Sequence, residues 1–384
     1  MTRRRVVYAI GQLAMGGGER QLLQLVQRLD RSRFAPEVIT FTPGGELEPE
    51  FRATCPLHVL PKRPLTEIPV LLSLISLLRR PRAEILHTYL YPATWRGTLA
   101  ARLAGTRGIV QFVGNMADWM GPVRLSLQRM AARRASAVIY EAPPVGRYLV
   151  EKAGVPEDRT LMIPNGVDLD LFGPGSGGER HRQEIWGEAP VKVIGAVMSL
   201  SEKKNPLLLV EAAARVASAH PEARFMIAGE GPMRPVLEKA IAEAGLAERF
   251  RLLGVRRDVP DLLRSMDVLA LTSDREGCPN AVIEAMATGL PVVATAAGGT
   301  VEIVRDRETG RLVAPRDPAA FARGIQDLLD DPEAARRMGS TGLELARSRF
   351  AFHRMVERVQ SLYESILEGR GAGETAGPRE AARA

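Results

Sequence analysis

The sequence predicts an α/β protein of two doubly wound, Rossmann-like domains. Three observations carry that expectation. Short apolar runs alternate with stretches whose apolar residues recur at helical spacing, the pattern of βαβ units around a parallel sheet. The alternation breaks at Gly173-Pro-Gly-Ser-Gly-Gly178 and resumes at Val191. The chain has 384 residues, too many for one ordinary core and suited to two domains of roughly 150–200 residues each.

The elements follow in order. Residues 6–10 form the first strand, and 19–29 a helix with one apolar stripe. Strands at 38–41 and 57–60 precede a core helix at 68–78. A strand at 85–87 ends in His87, a candidate for lining a cleft. A helix at 93–103 stops at Gly105. A strand at 109–113, a helix at 123–134 and a strand at 137–140 repeat the pattern, and 161–164 leads into Asn165-Gly-Val-Asp168. In the second half, 193–197, 225–228, 251–253, 268–271 and 292–294 read as strands with helices between them. Helices are expected at 319–329 and 333–338, and the apolar face of Met355, Val356, Val359, Leu362, Tyr363 and Ile366 marks a last one. The expected boundaries are an N-terminal domain at 1–172, a linker at 173–190, a C-terminal domain at 191–349, a final helix at 350–368 and a disordered tail at 369–384.

Composition narrows the function classes. Two cysteines, Cys55 and Cys278, make no disulfide framework, and no Cys/His spacing suggests zinc, so a reducing, cytoplasmic setting is expected. Arg3-Arg-Arg5 leads into a short strand rather than a secretory leader. The longest apolar stretch, 68–78, is too short to span a bilayer. Charge is uneven: residues 1–170 carry 23 Lys and Arg against 15 Asp and Glu, and residues 171–384 carry 29 against 30. A solvated arginine-rich surface is the plain reading of that excess, and a face held against an anionic membrane or a phosphate-bearing acceptor is the functional one. Nucleic acid is not expected as a partner, because no recognition motif appears and aromatic content is low.

The chemistry concentrates in Glu276-Gly-Cys-Pro-Asn-Ala-Val-Ile-Glu284, which places two carboxylates eight residues apart. The segment reads as strand, tight loop and helix, with Pro279 and Asn280 opening the helix and Gly289 and Pro291 closing it. Glu276 then lies at the carboxyl end of a strand, where parallel sheets bind ligands. The helix start at Asn280, Ala281 and Val282 offers backbone N–H groups and a partial positive charge suited to phosphate. One carboxylate there can grip sugar hydroxyls, and Glu284, deeper in the helix, can take the two hydroxyls of a ribose. Solvated positions on a loop and a helix face are the competing readings for both acids.

This spacing resembles the signature of the GT-B retaining glycosyltransferases of family GT4, and further motifs extend the resemblance over about 350 residues. Met15-Gly-Gly-Gly-Glu-Arg20 is similar to that family's Gly-Gly-x-Glu-Arg loop, implying that Gly16 and Gly17 border an interdomain cleft near the donor phosphates. Ser199-Leu-Ser-Glu-Lys-Lys204 resembles the Arg-Leu-Ser-x-x-Lys loop that clamps the diphosphate. Lys204 matches its lysine, and Ser199 stands where the arginine is expected, leaving one of two cations. Gly229-Glu-Gly-Pro232, the Leu253-Gly254-Val255 stretch against the nucleobase, Ala297-Gly-Gly-Thr-Val-Glu302 near the sugar and the boundary segment Asn165-Gly-Val-Asp168 also match. The histidine or arginine that many members carry after the strand at 109–113 is absent, and Asn115 and Asp118 are what this chain offers there.

The resemblance implies a GT-B fold with two Rossmann-like domains facing a cleft, the N-terminal one for acceptor and the C-terminal one for donor. It implies a retaining transfer, with Glu276 and Lys204 in the catalytic roles and Gly16, Gly17, Ser199, Lys204, Gly254, Val255, Asn280, Ala281, Val282 and Glu284 around a UDP- or GDP-sugar. No essential metal or other cofactor is expected. The acceptor class is a glycan or lipid-linked sugar in cell-envelope or exopolysaccharide synthesis, with peripheral contact at the inner face of the cytoplasmic membrane. A sugar-nucleotide hydrolase or epimerase of the same fold, and a non-catalytic binding protein, are the alternatives.

Overall fold

The computed structural model describes residues 3–60, 67–114 and 121–370. The chain divides into two compact units, Met1–Asn165 with Phe352–Ala384 and the continuous stretch Gly166–Ala351.

Unit 1 is built on a parallel sheet of β1 (Arg4–Ile10), β2 (Phe34–Thr40), β3 (Leu57–Val59), β4 (Ile85–Tyr89), β5 (Gly108–Val113), β6 (Ala137–Tyr140) and β7 (Thr160–Met162). Their order across the sheet is β3-β2-β1-β4-β5-β6-β7, with Tyr8 of β1 in register with Val38 and His87. Parallel strands need crossovers, and the helices supply them on both faces, so central strands such as β1 and β5 are apolar nearly throughout. Helices Gly17–Arg28, Glu48–Thr54 and Phe352–Leu367 bury Leu22, Leu25, Phe51, Met355 and Tyr363 on one face. Helices Glu67–Arg79, Leu90–Ala104 and Pro122–Ala132 bury Leu74, Leu78, Ala93, Ala100 and Ala132 on the other. Strand order reverses between β1 and β4, which opens a crevice at their carboxyl ends.

The last helix is fixed to this unit by polar ties as well as apolar ones. The Asp30 N–H donates to Gln360 Oε1 at 2.7 Å, Arg107 donates to the Leu367 carbonyl at 2.6 Å, and Arg358 to the Met162 carbonyl at 2.8 Å. Beneath them Tyr363 hydroxyl meets His87 Nδ1 at 2.6 Å and donates to the Tyr8 hydroxyl at 3.1 Å. His87 therefore lies in the middle of β4, wholly buried, and lines no cleft. Burial pushes its imidazole down to about 3, so it is neutral at ordinary pH. Asn115, Asp118 and the tail from 371 onward fall outside the described residues.

Unit 2 repeats the architecture with β8 (Lys192–Val197), β9 (Ala223–Ala228), β10 (Phe250–Leu252), β11 (Val268–Leu271), β12 (Val292–Thr295) and β13 (Gly310–Val313). All are parallel, in the order β10-β9-β8-β11-β12-β13, so the reversal falls between β8 and β11. Helices Pro206–Ala219 and Pro318–Asp330 cover one face, while Val259–Arg264 and Asn280–Ala287 cover the other. Two local features differ from the sequence expectation. The segment at 173–190, expected as a linker, holds the helix Gly177–Trp186, packed on Val259–Arg264. A Cβ on Gly178 would stand 2.8 Å from that of Arg264 and closer to its carbonyl, so this glycine serves helix approach rather than flexibility. Strand β13 was not anticipated either; it is a short edge strand with a charged residue, Arg311, held by Asp306.

Candidate functional site

The site in unit 2 assembles from loops at the carboxyl edge of its sheet. After β8 the chain runs through Ser199 to the short 3-10 turn Glu202–Lys204. After β11 it runs through Thr272, Ser273 and Asp274 to Glu276, then into Asn280–Ala287. These two loops flank the point where strand order reverses, the position at which open α/β sheets bind ligands.

Main-chain and side-chain bonds fix the loops against each other. The Thr272 hydroxyl donates to the Lys204 carbonyl at 2.9 Å, and the Asp274 N–H to the Lys203 carbonyl at 2.9 Å. Asp274 also accepts from Asn205 Nδ2 at 3.3 Å and from Arg316 Nε and Nη2 at 3.0 and 2.8 Å. Asn205 itself sits at φ 44°, an uncommon conformation for a non-glycine residue, which this bond helps to hold. At the centre Lys204 Nζ donates to Glu276 Oε1 at 2.5 Å, and the Ser273 hydroxyl donates to the same oxygen at 2.5 Å. The Glu276 side chain is 8% exposed and that of Lys204 21%. A carboxylate and a cation so placed are paired and largely dry, so each is a strong partner for a polar ligand that takes the place of the other.

A third loop grips the first two from behind. The Glu276 carbonyl accepts from the Gly299 N–H at 3.1 Å, and the Thr295 hydroxyl donates to the Ser273 carbonyl at 2.5 Å. Gly298 is at φ 56°, and a Cβ there would be 3.0 Å from the Glu276 carbonyl carbon and closer to its oxygen. On the other side, Leu200 N–H donates to the Glu230 carbonyl at 3.0 Å and Gly229 N–H to the Gly254 carbonyl at 2.7 Å. The loops after β8, β9 and β10 are thus stitched in a row. Val255 beside Gly254 is 61% exposed, an apolar side chain left open at this edge.

The sequence-derived residues sort as follows. Lys204 and Glu276 are brought into direct contact, and Asn280, Ala281 and Val282 form the first turn of the helix that follows Glu276. Glu284, one turn further, is 7% exposed. Ser199 is exposed, its hydroxyl 3.2 Å from that of Ser201. Gly254 and Val255 lie at the end of β10. Gly16 and Gly17 belong to unit 1, where Gly16 caps the helix Gly17–Arg28. Sequence reasoning missed Ser273, Asp274 and Arg316, which position the pair without belonging to a readable motif, and read Gly298 only as part of the turn at 297–302; Arg316 lies 42 residues from the aspartate it binds.

Unit 1 carries its own cavity of about 440 Å³ at the crevice beside β1, lined by Gln12, Glu19, Phe41, Thr42, Leu90 and Arg96. Leu90, the first residue of its helix, is at φ 63°, a strained backbone at the mouth of a cavity. Glu19 and Arg96 are buried, and burial raises the Glu19 carboxyl above its ordinary range. Arg96, whose guanidinium lies 4.4 Å from the Trp95 ring centroid, was not singled out from sequence.

Comparison with known proteins bears on the fold and the family. The family model "Glycosyltransferase Family 4" matches residues 15–171, and "Glycosyl transferases group 1" matches residues 179–344. A 2-deoxystreptamine glucosyltransferase of Streptomyces kanamyceticus is 27% identical over 310 residues, 76% of this chain and 80% of that protein. An Escherichia coli UDP-Gal:alpha-D-GlcNAc-diphosphoundecaprenol alpha-1,3-galactosyltransferase is 29% identical over 307 residues, 77% and 79% of the two chains. Among solved structures, Anabaena HepE in complex with UDP-glucose superposes with a TM-score of 0.84 at 23% identity, covering 94% of this chain and 99% of that one. Two Rossmann-like units, the loop signatures in their order and matches to both family models along the chain make this protein a member of the family 4, group 1 glycosyltransferases, with the GT-B fold.

Proposed function

We propose that this glycosyltransferase moves a sugar from a nucleotide-sugar donor to a hydroxyl of a glycan or lipid-linked acceptor, with retention at the anomeric carbon and no essential metal. The observation that carries the proposal is the Lys204–Glu276 pair, held where the strand order of unit 2 reverses. Lys204 would turn to the donor diphosphate, joined by the N–H groups of Asn280, Ala281 and Val282 and by the Ser199 hydroxyl. Glu276, released from the lysine, would accept from donor-sugar hydroxyls, and Glu284 would hold the ribose. Gly254 and Val255 would lie against the base. As the bond from C1 to the diphosphate oxygen breaks, the acceptor oxygen bonds C1 on the same face and its proton passes to the leaving phosphate. That route needs no protein base, in keeping with the residue types at the site.

The acceptor would use the cavity of unit 1, where Gln12, Glu19 and Arg96 offer hydrogen-bonding groups of both polarities. The UDP-sugar in the name of the E. coli relative favours a uridine donor, and its diphosphoundecaprenol substrate favours a lipid-linked acceptor met at the inner face of the cytoplasmic membrane. The test is a thermal-shift screen against UDP, GDP and ADP, followed by transfer assays with the matching sugars. One nucleotide is expected to raise the melting temperature, the rise to vanish in Glu284→Ala, and transfer to vanish in Glu276→Ala. A Glu276→Ala protein with full activity would remove the central assignment.

A further inference from the structure

We infer that the outer face of the three helices Glu67–Arg79, Leu90–Ala104 and Pro122–Ala132 in unit 1 is a docking surface for an anionic lipid bilayer. The inference deepens the membrane-face part of the proposed function and rests on it. The three helices lie side by side over one face of the sheet, each packed on the next. Among the described residues, ten large apolar side chains are exposed, and six of them are here: Ile68, Leu72, Leu99, Leu103, Val123 and Met130. Ile68 and Val123 are 71% and 72% exposed. Solitary exposed leucines are ordinary, but this concentration on three adjacent helices is not.

The charge on the same stretch is predominantly positive. Residues 67–140 contain ten arginines, no lysine and three acids, Glu67, Glu84 and Asp118. Glu84 is 2.8 Å from Arg4 and 3.7 Å from Arg107, and Asp118 lies outside the described residues. Arg79, Arg129 and Arg134 donate to the carbonyls of Leu103, Lys152 and Met130, contacts that orient a guanidinium without neutralising it. Half-buried Tyr91 and Trp95 stand on the first turns of the central helix, with Arg124 close enough to act on the Tyr91 hydroxyl. The opposite face differs: helices Glu48–Thr54 and Phe352–Leu367 mix Glu48, Glu50, Glu357 and Glu364 with their arginines.

Arginine, aliphatic and Tyr/Trp side chains on one face are the chemistry of the headgroup region, where the cation meets lipid phosphate and the apolar groups reach the acyl boundary. A second copy of the chain is disfavoured as occupant, since two such faces would bring like charges together. A nucleic acid would use the arginines but leave Ile68, Leu72 and Val123 without partners. Among the described residues no helix is long and apolar enough to cross a membrane, so the contact proposed is at the surface.

The test is co-sedimentation of the full chain with vesicles of phosphatidylcholine alone and of phosphatidylcholine with phosphatidylglycerol. Binding is expected to the second only, weakening as salt is raised. Arg124→Gln with Arg129→Gln should lower partitioning about 25-fold, near fivefold per arginine. Leu72→Glu and Val123→Glu should lower it further, while Arg354→Gln on the opposite face should not. Nucleotide-induced thermal shifts in each variant report folding and the donor site separately, so a failed donor reading and a failed docking surface are distinguishable. Equal binding to both vesicles, wild-type binding by the variants, or self-association abolished by Leu72→Glu would each overturn the inference.

Discussion

Replacing Gly298 by alanine tests whether Glu276 must be held to within a fraction of an ångström. The added Cβ would stand 3.0 Å from the Glu276 carbonyl carbon and closer still to its oxygen. One of the two segments must then retreat, by on the order of 1 Å, a displacement that costs about 100-fold in rate when it falls on a reacting group. The same methyl strains a backbone at φ 56°, at about 1–2 kcal/mol. It also weakens the 3.1 Å bond from Gly299 N–H to the Glu276 carbonyl, worth about 1 kcal/mol. A loss of roughly 2–3 kcal/mol in a unit of this size lowers the melting temperature by about 5–10 °C. The assay is steady-state transfer with the nucleotide sugar found by thermal shift, read beside a melting curve. Gly245→Ala is the control, because Gly245 has φ 65° and nothing within 4 Å of the added carbon. It should cost stability without touching the rate. Equal kcat/KM for Gly298→Ala and wild type would refute the claim that this turn positions the carboxylate.

Three other predictions follow from the same structure. Lys204→Met leaves the nearly buried Glu276 with Ser273 as its remaining side-chain donor and should destabilise unit 2 by about 1–3 kcal/mol; adding Glu276→Gln should restore the melting temperature but not transfer, and failure to restore it would show that the pair is not coupled. Tyr363→Phe removes a hydroxyl that serves both His87 and Tyr8 and should cost about 1–3 kcal/mol in chemical denaturation, with a cost near zero counting against the buried network. His87 is depressed to about 3 when folded and protonates near 6.5 when unfolded. The unfolded state therefore binds the extra proton between those values, and unit 1 should lose stability as pH falls through that window, by up to about 1.4 kcal/mol per pH unit; His87→Gln should flatten the slope measured by melting at a series of pH values, and an unchanged slope would assign it to other groups.

Much of the fold was legible because parallel strands buried on both faces must be apolar, and the intervening helices must carry a stripe. Strands such as β6 and β11 announced themselves in that way. Lys204 and Glu276 could be placed at one sheet edge since each follows a recognisable strand, but their contact depends on β8 and β11 being neighbours, which no local pattern encodes. Helix Gly177–Trp186 hid behind glycines that composition equates with a flexible segment, whereas the structure uses Gly178 for close approach to Arg264. His87 was legible as a strand residue only; its burial follows from Tyr363, 276 residues away. Arg316 and Asp274 were likewise unreadable, since a positioning bond across 42 residues leaves no trace in spacing.

Helix Phe352–Leu367 gives unit 1 a core contributed from both ends of the chain. That connectivity sets an order of assembly on the ribosome. Unit 2 is continuous from Gly166 to Ala351 and can finish folding as soon as its last helix emerges. Unit 1, although synthesised first, must wait with Leu22, Leu25 and Phe34 incompletely covered until Met355, Val359 and Tyr363 arrive. The early strands are then the segment most in need of chaperone protection. A stop codon between Phe352 and Tyr363 would spare the second unit and leave the first without its closing piece.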